Sequence, residues 1–208
     1  MSKRTIHILW LSLVSLPCFA ADLTVRVLTQ QGEPLENAVV LLKSEALLKS
    51  EALLQSLQPM PVTELSQNHR TFTPNVLVIT KGSAVEFPNR DRVRHHVYSF
   101  SNAKTFELKL YSGRPEKPVV FDKAGVVEIG CNIHDSMLAW ILVSDTPLFA
   151  KTNNQGEVYF TQQQADTYQI EVWHSALPFG SPLVTQNAVL TENNAAVEVV
   201  MPALGGNL

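Results

Sequence analysis

Gly130-Cys131-Asn132-Ile133-His134-Asp135-Ser136-Met137 places a thiol, an imidazole and a thioether within seven residues, and a second imidazole source, His95-His96, lies far upstream. Soft sulfur with borderline nitrogen suits copper, and a Cys, two His and a weakly held Met are what a blue-copper electron-transfer site requires. Three donors on one tight loop and one from a distant strand let the chain fix their geometry before a metal arrives, so little reorganises when an electron moves. Zinc is the rival, since Cys and two His also suit it, with Asp135 as a possible fourth ligand. Taken singly, each residue has a plainer reading: a cysteine as a small buried hydrophobe, a methionine as core filler, a His pair as a surface feature. Their joint occurrence at this spacing is what points to a metal.

The cysteine count sharpens the point. The 208-residue chain has two, Cys18 and Cys131, which excludes a disulfide-dense scaffold and a four-cysteine zinc site. Lys3-Arg4, an uncharged run from Ile6 to Ala20 and small residues before Asp22 form the three-part layout of a secretory signal peptide, residues 1–20, cut after Ala20. Pro17 directly before Cys18 is a poor match to a lipoprotein signal, so Cys18 leaves with the leader. Cys131 is then a lone thiol in an oxidising compartment, where a free exposed thiol is an oxidation liability. Loss of Lys3 and Arg4 takes the formal net charge from −3 to −5, which argues against a nucleic-acid partner. No later segment is apolar and long enough to span a membrane, so a periplasmic or secreted protein without a membrane span is expected.

The elements that must position these donors read as strands. Period-two patterns recur at Leu23 to Val27, Leu77 to Thr80, Val119 to Phe121 and Tyr168 to Val172, punctuated by Gly32, Gly82, Gly113, Gly125 and Gly156. The fold class is therefore all-β, an antiparallel sandwich with little helix. The exception is Leu41-Leu-Lys-Ser-Glu-Ala46, repeated as Leu47 to Ala52 and in part again up to Leu57; it reads as a short amphipathic helix or a surface loop without chemistry. Arg90, Arg92 and Arg94 beside His95 either steer an acidic partner or form a solvated turn. Trp173-His174 reads as a packing aromatic with an exposed imidazole.

Two resemblances follow from these residues. Thr71 to Ile79, Lys81-Gly82 through Phe87-Pro88-Asn89, His95 six residues later, Ala124-Gly125 before Cys131 and the Cys131-x-x-His134-x-x-Met137 spacing resemble the cupredoxin family, in its amicyanin and plastocyanin branch. Leu23 to Val40 and Lys151 to Val172 resemble a carboxypeptidase-regulatory-like, transthyretin-type β-sandwich. Together they imply a cupredoxin Greek-key sandwich over 59–144 inserted into a small split sandwich over 22–58 and 145–203. The first resemblance implies His95, Cys131 and His134 as equatorial ligands of one type 1 copper and Met137 as the axial one, with His96 as the alternative to His95. Asp135 stands where amicyanin-like loops tend to carry proline, close enough to hold the imidazole or alter the potential. The implied function is single-electron transport by a non-enzymatic protein. A copper-binding or delivery protein, or an envelope interaction module with a structural cupredoxin fold, is the alternative. The whole pattern also looks like the cupredoxin-containing proteins labelled as methylamine-utilisation proteins, which implies a cytochrome or dehydrogenase partner by analogy alone.

Overall fold

A computed structural model describes residues 20–205; apart from Ala20, the expected leader lies outside them. The chain opens with β1 (Ala20–Leu28) and β2 (Val39–Lys43), then α1 (Glu45–Lys49) and α2 (Glu51–Ser56). Its middle holds β3 (Thr63–Glu64), β4 (Ser66–Asn68), β5 (Thr71–Thr73), β6 (Val76–Thr80), β7 (Ala84–Glu86), β8 (His95–Ser101), β9 (Lys104–Tyr111), β10 (Val119–Val120), β11 (Gly125–Cys131) and β12 (Leu138–Ser144). β13 (Phe149–Lys151), β14 (Glu157–Gln164), β15 (Asp166–Trp173), β16 (Val184–Leu190) and β17 (Ala195–Val200) complete it. The described residues are thus all-β, as the sequence predicts, with two short helices among them.

Two apolar clusters organise the sheets. One gathers alternate residues of β1 (Leu23, Val25, Val27) with Val40 and Leu42 of β2 and Tyr168, Ile170 and Val172 of β15. It is flanked by sheets ordered β14-β1-β17 and β13-β2-β15-β16. Removing each such aliphatic side chain from water stabilises the fold by about 1.5–3 kcal/mol. The second cluster joins Ile79, Val97, Val127, Ile129 and Ile141 to Val85, Phe87 and Phe121, using the five-stranded sheet β6-β12-β11-β8-β9 and the small sheet β10-β7-β3.

β12 belongs to both. Ala139, Ile141 and Val143 enter the second cluster while Leu142 enters the first and Trp140 packs against it, with the Trp140 and Trp173 rings 6.0 Å apart. A strand covered on both faces loses its alternation, which is why Leu138 to Val143 reads as one continuous apolar run. Lys43 on β2 adds a polar tie, with Nζ 2.7 Å from Asp145 and 2.9 Å from Glu171. Burial opposes the Lys43 charge, but hydrogen bonds and charges from Asp145 and Glu171 outweigh it and raise the pKa.

The hexapeptide repeat takes two structures. In the first copy Leu41-Leu42-Lys43 is strand, paired with β13 and β15; in the second Leu47-Leu48-Lys49 is helix, capped by the Ser44 hydroxyl accepting from Leu47 N at 3.1 Å. Neighbouring strands decide the first copy, and local capping decides the second. One expectation is corrected: His174 is buried, not exposed, and its Nδ1 accepts from Ala176 N at 3.1 Å. Burial pushes its pKa down, against a hydrogen bond with the Glu36 backbone.

Candidate metal centre

The first residue of β8 and the last of β11 meet because these strands pair antiparallel, Gly130 opposite Tyr98 and Cys131 opposite Val97. Gly130 has a steric reason at this crossing, since a Cβ there would lie 2.9 Å from the Tyr98 ring. His95 is fully buried and Cys131 nearly so. After Cys131 the chain turns back sharply: Asn132 N donates to His96 O at 3.1 Å, and Met137 N donates to His134 O at 3.0 Å. That turn returns the His134 ring to the cysteine.

Cys131 Sγ lies 3.7 Å from His95 Nδ1 and 3.8 Å from His134 Nδ1. The two imidazole centroids are 5.0 Å apart, and the three donor atoms all lie within 4.8 Å of one another. A thiolate and two imidazole nitrogens that converge in this way can hold a metal ion. Met137 is buried in the same apolar cluster as Cys131, and His134 is half-buried.

The loop before β8 is built from hydrogen bonds. Buried Asn89 donates through Nδ2 to Val93 O and Tyr111 O, both at 2.9 Å, and accepts from Asp91 N at 2.9 Å. Asp91 Oδ2 sits 2.8 Å from His95 Nε2, and the carboxylate also accepts from His69 N at 2.7 Å and Arg70 N at 2.9 Å. Burial pushes the Asp91 carboxyl up, but the hydrogen bonds from Arg70, His95 and His69 outweigh it and hold the pKa below the usual value. Tyr111, opposite His95 on β9, donates its hydroxyl to Phe87 O at 2.5 Å and accepts from Gln67 Nε2 at 2.6 Å. Burial raises its pKa to about 12, with the Cys131 charge adding to the rise against the Gln67 hydrogen bond.

The structure brings His95, Cys131 and His134 together and turns His96 away. His96 Nε2 lies 2.9 Å from Glu107 Oε1, without hydrogen-bond alignment, and its ring sits against Tyr98. Asp135 is exposed and lies outside the converging group, and among the described residues no hydrogen bond joins it to either imidazole. Arg90 pairs with Glu64 at 2.5 Å, while Arg92 and Arg94 are exposed without an ion-pair partner among the described residues. Sequence reasoning missed Asp91. Its available signal was Asn89-Arg90-Asp91, the pattern of an Asx turn, which marks a structured loop without saying what the loop holds.

No family model and no curated protein sequence matches the chain. Among solved structures it is similar to a copper-containing nitrite reductase from Thermus scotoductus at 27% identity and TM-score 0.38, covering 42% of this chain and 23% of that one. It is also similar to a purple cupredoxin from Nitrosopumilus maritimus at 22% identity and TM-score 0.35, covering 40% of this chain and 100% of that one. Amicyanin from Paracoccus versutus gives 15% identity and TM-score 0.35, covering 50% of this chain and 97% of that one. The expectation of a non-enzymatic protein is corrected here, because an enzyme stands beside the purple cupredoxin and amicyanin among the similar structures, although this chain spans only 23% of its length. Likeness of fold does not divide catalysis from carriage.

Proposed function

We propose that the chain carries single electrons through one copper ion held by His95, Cys131, His134 and Met137. The observation that carries this reading is the convergence of a buried thiol with the Nδ1 atoms of two imidazoles at 3.7 and 3.8 Å. The donor chemistry fits copper: the set is soft and borderline, and Asp135, the oxygen donor that would complete a zinc site, lies outside it. Copper bound there would supply one reversible one-electron couple. The split of the chain into a cupredoxin-like unit over 59–144 and a transthyretin-like unit over 22–58 and 145–203 belongs to the same proposal, supported by the two apolar clusters. So does export to the periplasm, supported by the leader-like start and the lone Cys131.

Each residue has a part. Full burial of His95 keeps water from the inner side of the site and fixes that imidazole. Half-buried His134 links the thiol to the surface, and exposed Ile133 and Leu138 flank its loop as an apolar contact for a redox protein. Exposed Arg92 and Arg94 would steer an acidic partner. The test is to reduce the copper-loaded chain with ascorbate and mix it with ferricyanide in a stopped-flow instrument. The reading expects rapid reoxidation over repeated cycles, with the reduced protein keeping its copper against a Cu(I) chelator. Copper passing to the chelator on the same timescale would overturn it in favour of delivery.

A further inference from the structure

We propose that Asp91 is the positioning residue of this site, selecting the His95 tautomer and lowering the reduction potential; this rests on the copper reading above. A neutral imidazole has one N–H and one lone pair. In His95, Nε2 faces the Asp91 carboxylate at 2.8 Å and Nδ1 faces Cys131 Sγ at 3.7 Å. An ionised carboxylate only accepts, so the proton belongs on Nε2 and the lone pair on Nδ1 is left for the metal. The carboxylate also makes the imidazole a stronger donor and puts negative charge one ring away from the ion.

Asp91 is held by an unusual turn. His69 and Arg70 join β4 to β5 with φ values of 52° and 57°, both left-handed. A two-residue hairpin turn of this kind is normally filled by Asn-Gly or Asp-Gly, and a non-glycine residue held in that region is strained. The backbone N–H groups of these same two residues bind the Asp91 carboxylate, at 2.7 and 2.9 Å. The hairpin is strapped to the loop by Gln67 N donating to Pro88 O and Arg90 N donating to Gln67 O, both at 2.8 Å. An unfavourable backbone conformation is thereby retained where it aims two donors at the group that orients His95.

The test is Asp91→Asn in the copper-loaded protein, read by redox titration, Cu(II) affinity and the visible spectrum. Loss of such a supporting partner weakens metal binding by about 10- to 100-fold. Carboxylate charge favours Cu(II) over Cu(I), so the loss falls on the oxidised form. At about 59 mV per tenfold for one electron, the potential rises by about 60–120 mV. Asp91→Glu should restore part of the shift. A folded, copper-loaded Asp91→Asn protein with an unchanged potential would overturn the proposal. Should that variant fail to fold, Asp91→Ser is read by the same criterion. Failure of the copper reading itself would show separately, as a wild-type protein that takes up no copper.

Discussion

Alanine at His96 and at His95 should have different consequences for copper binding, although the two residues are neighbours. His96 lies 2.9 Å from Glu107 with side-chain exposures of 16% and 50%, so the pair is screened and its loss costs at most about 1 kcal/mol. For a chain of this length that lowers Tm by about 2–4 °C, and His96→Ala should bind copper as wild type does. His95 is fully buried and is hydrogen-bonded to Asp91. Removing it leaves a cavity and takes a charge-assisted partner from a largely buried carboxylate, for about 3 kcal/mol or more. The expected fall in Tm is then about 6–12 °C, together with loss of the thiolate-to-copper band. Thermal unfolding by circular dichroism on the metal-free variants, paired with copper titration followed by visible absorption, separates the two effects. If His96→Ala loses the band while His95→Ala keeps it, strand pairing and burial do not decide which imidazole serves the metal.

Lys43→Met should destabilise by about 2 kcal/mol, less than for a fully buried pair because Asp145 is partly exposed. The Lys43 pKa is raised above 10.5 in the folded state, so its contribution is complete below that pH and disappears as pH rises through the folded pKa. Urea unfolding should therefore show a wild-type advantage over Lys43→Met that is constant from neutral pH to about pH 10 and shrinks above it; an advantage that grows with alkali would contradict the assignment. Gly156→Ala should be worse still, since its Cβ would lie 2.5 Å from Val27 O at a φ of +72°. Loss of the αL position alone costs about 1–2 kcal/mol, and a folded variant with unchanged Tm would show that the turn relaxes freely.

How much of this was legible in the sequence depended on whether the signal was local. The strand alternation of β1 and β15 is visible because each has one buried face, whereas β12 hides its strand character by being covered on both. Leu41-Leu42-Lys43 and Leu47-Leu48-Lys49 are identical in sequence and differ in structure, so no reading of the hexapeptide alone could assign both. Cys131 and His134 were legible as neighbours from spacing because one tight loop carries them. The preference for His95 over His96 needed strand pairing to settle which ring faces Cys131. Asp91 was out of reach because its role depends on a hairpin turn about twenty residues upstream meeting it in space. Asp135, the carboxylate nearest His134 in sequence, was the natural candidate to support an imidazole and proved exposed.

The proposed centre is one copper ion held as a single redox site by the Cys131 thiolate and two imidazoles. Adding one equivalent of Cu(II) to the purified chain, and recording visible absorption and electron paramagnetic resonance, tests it most directly. The expected result is an intense visible charge-transfer band with narrow copper hyperfine splitting, saturating at one ion per chain and abolished by Cys131→Ala. A colourless protein, or a band that survives Cys131→Ala, would contradict it.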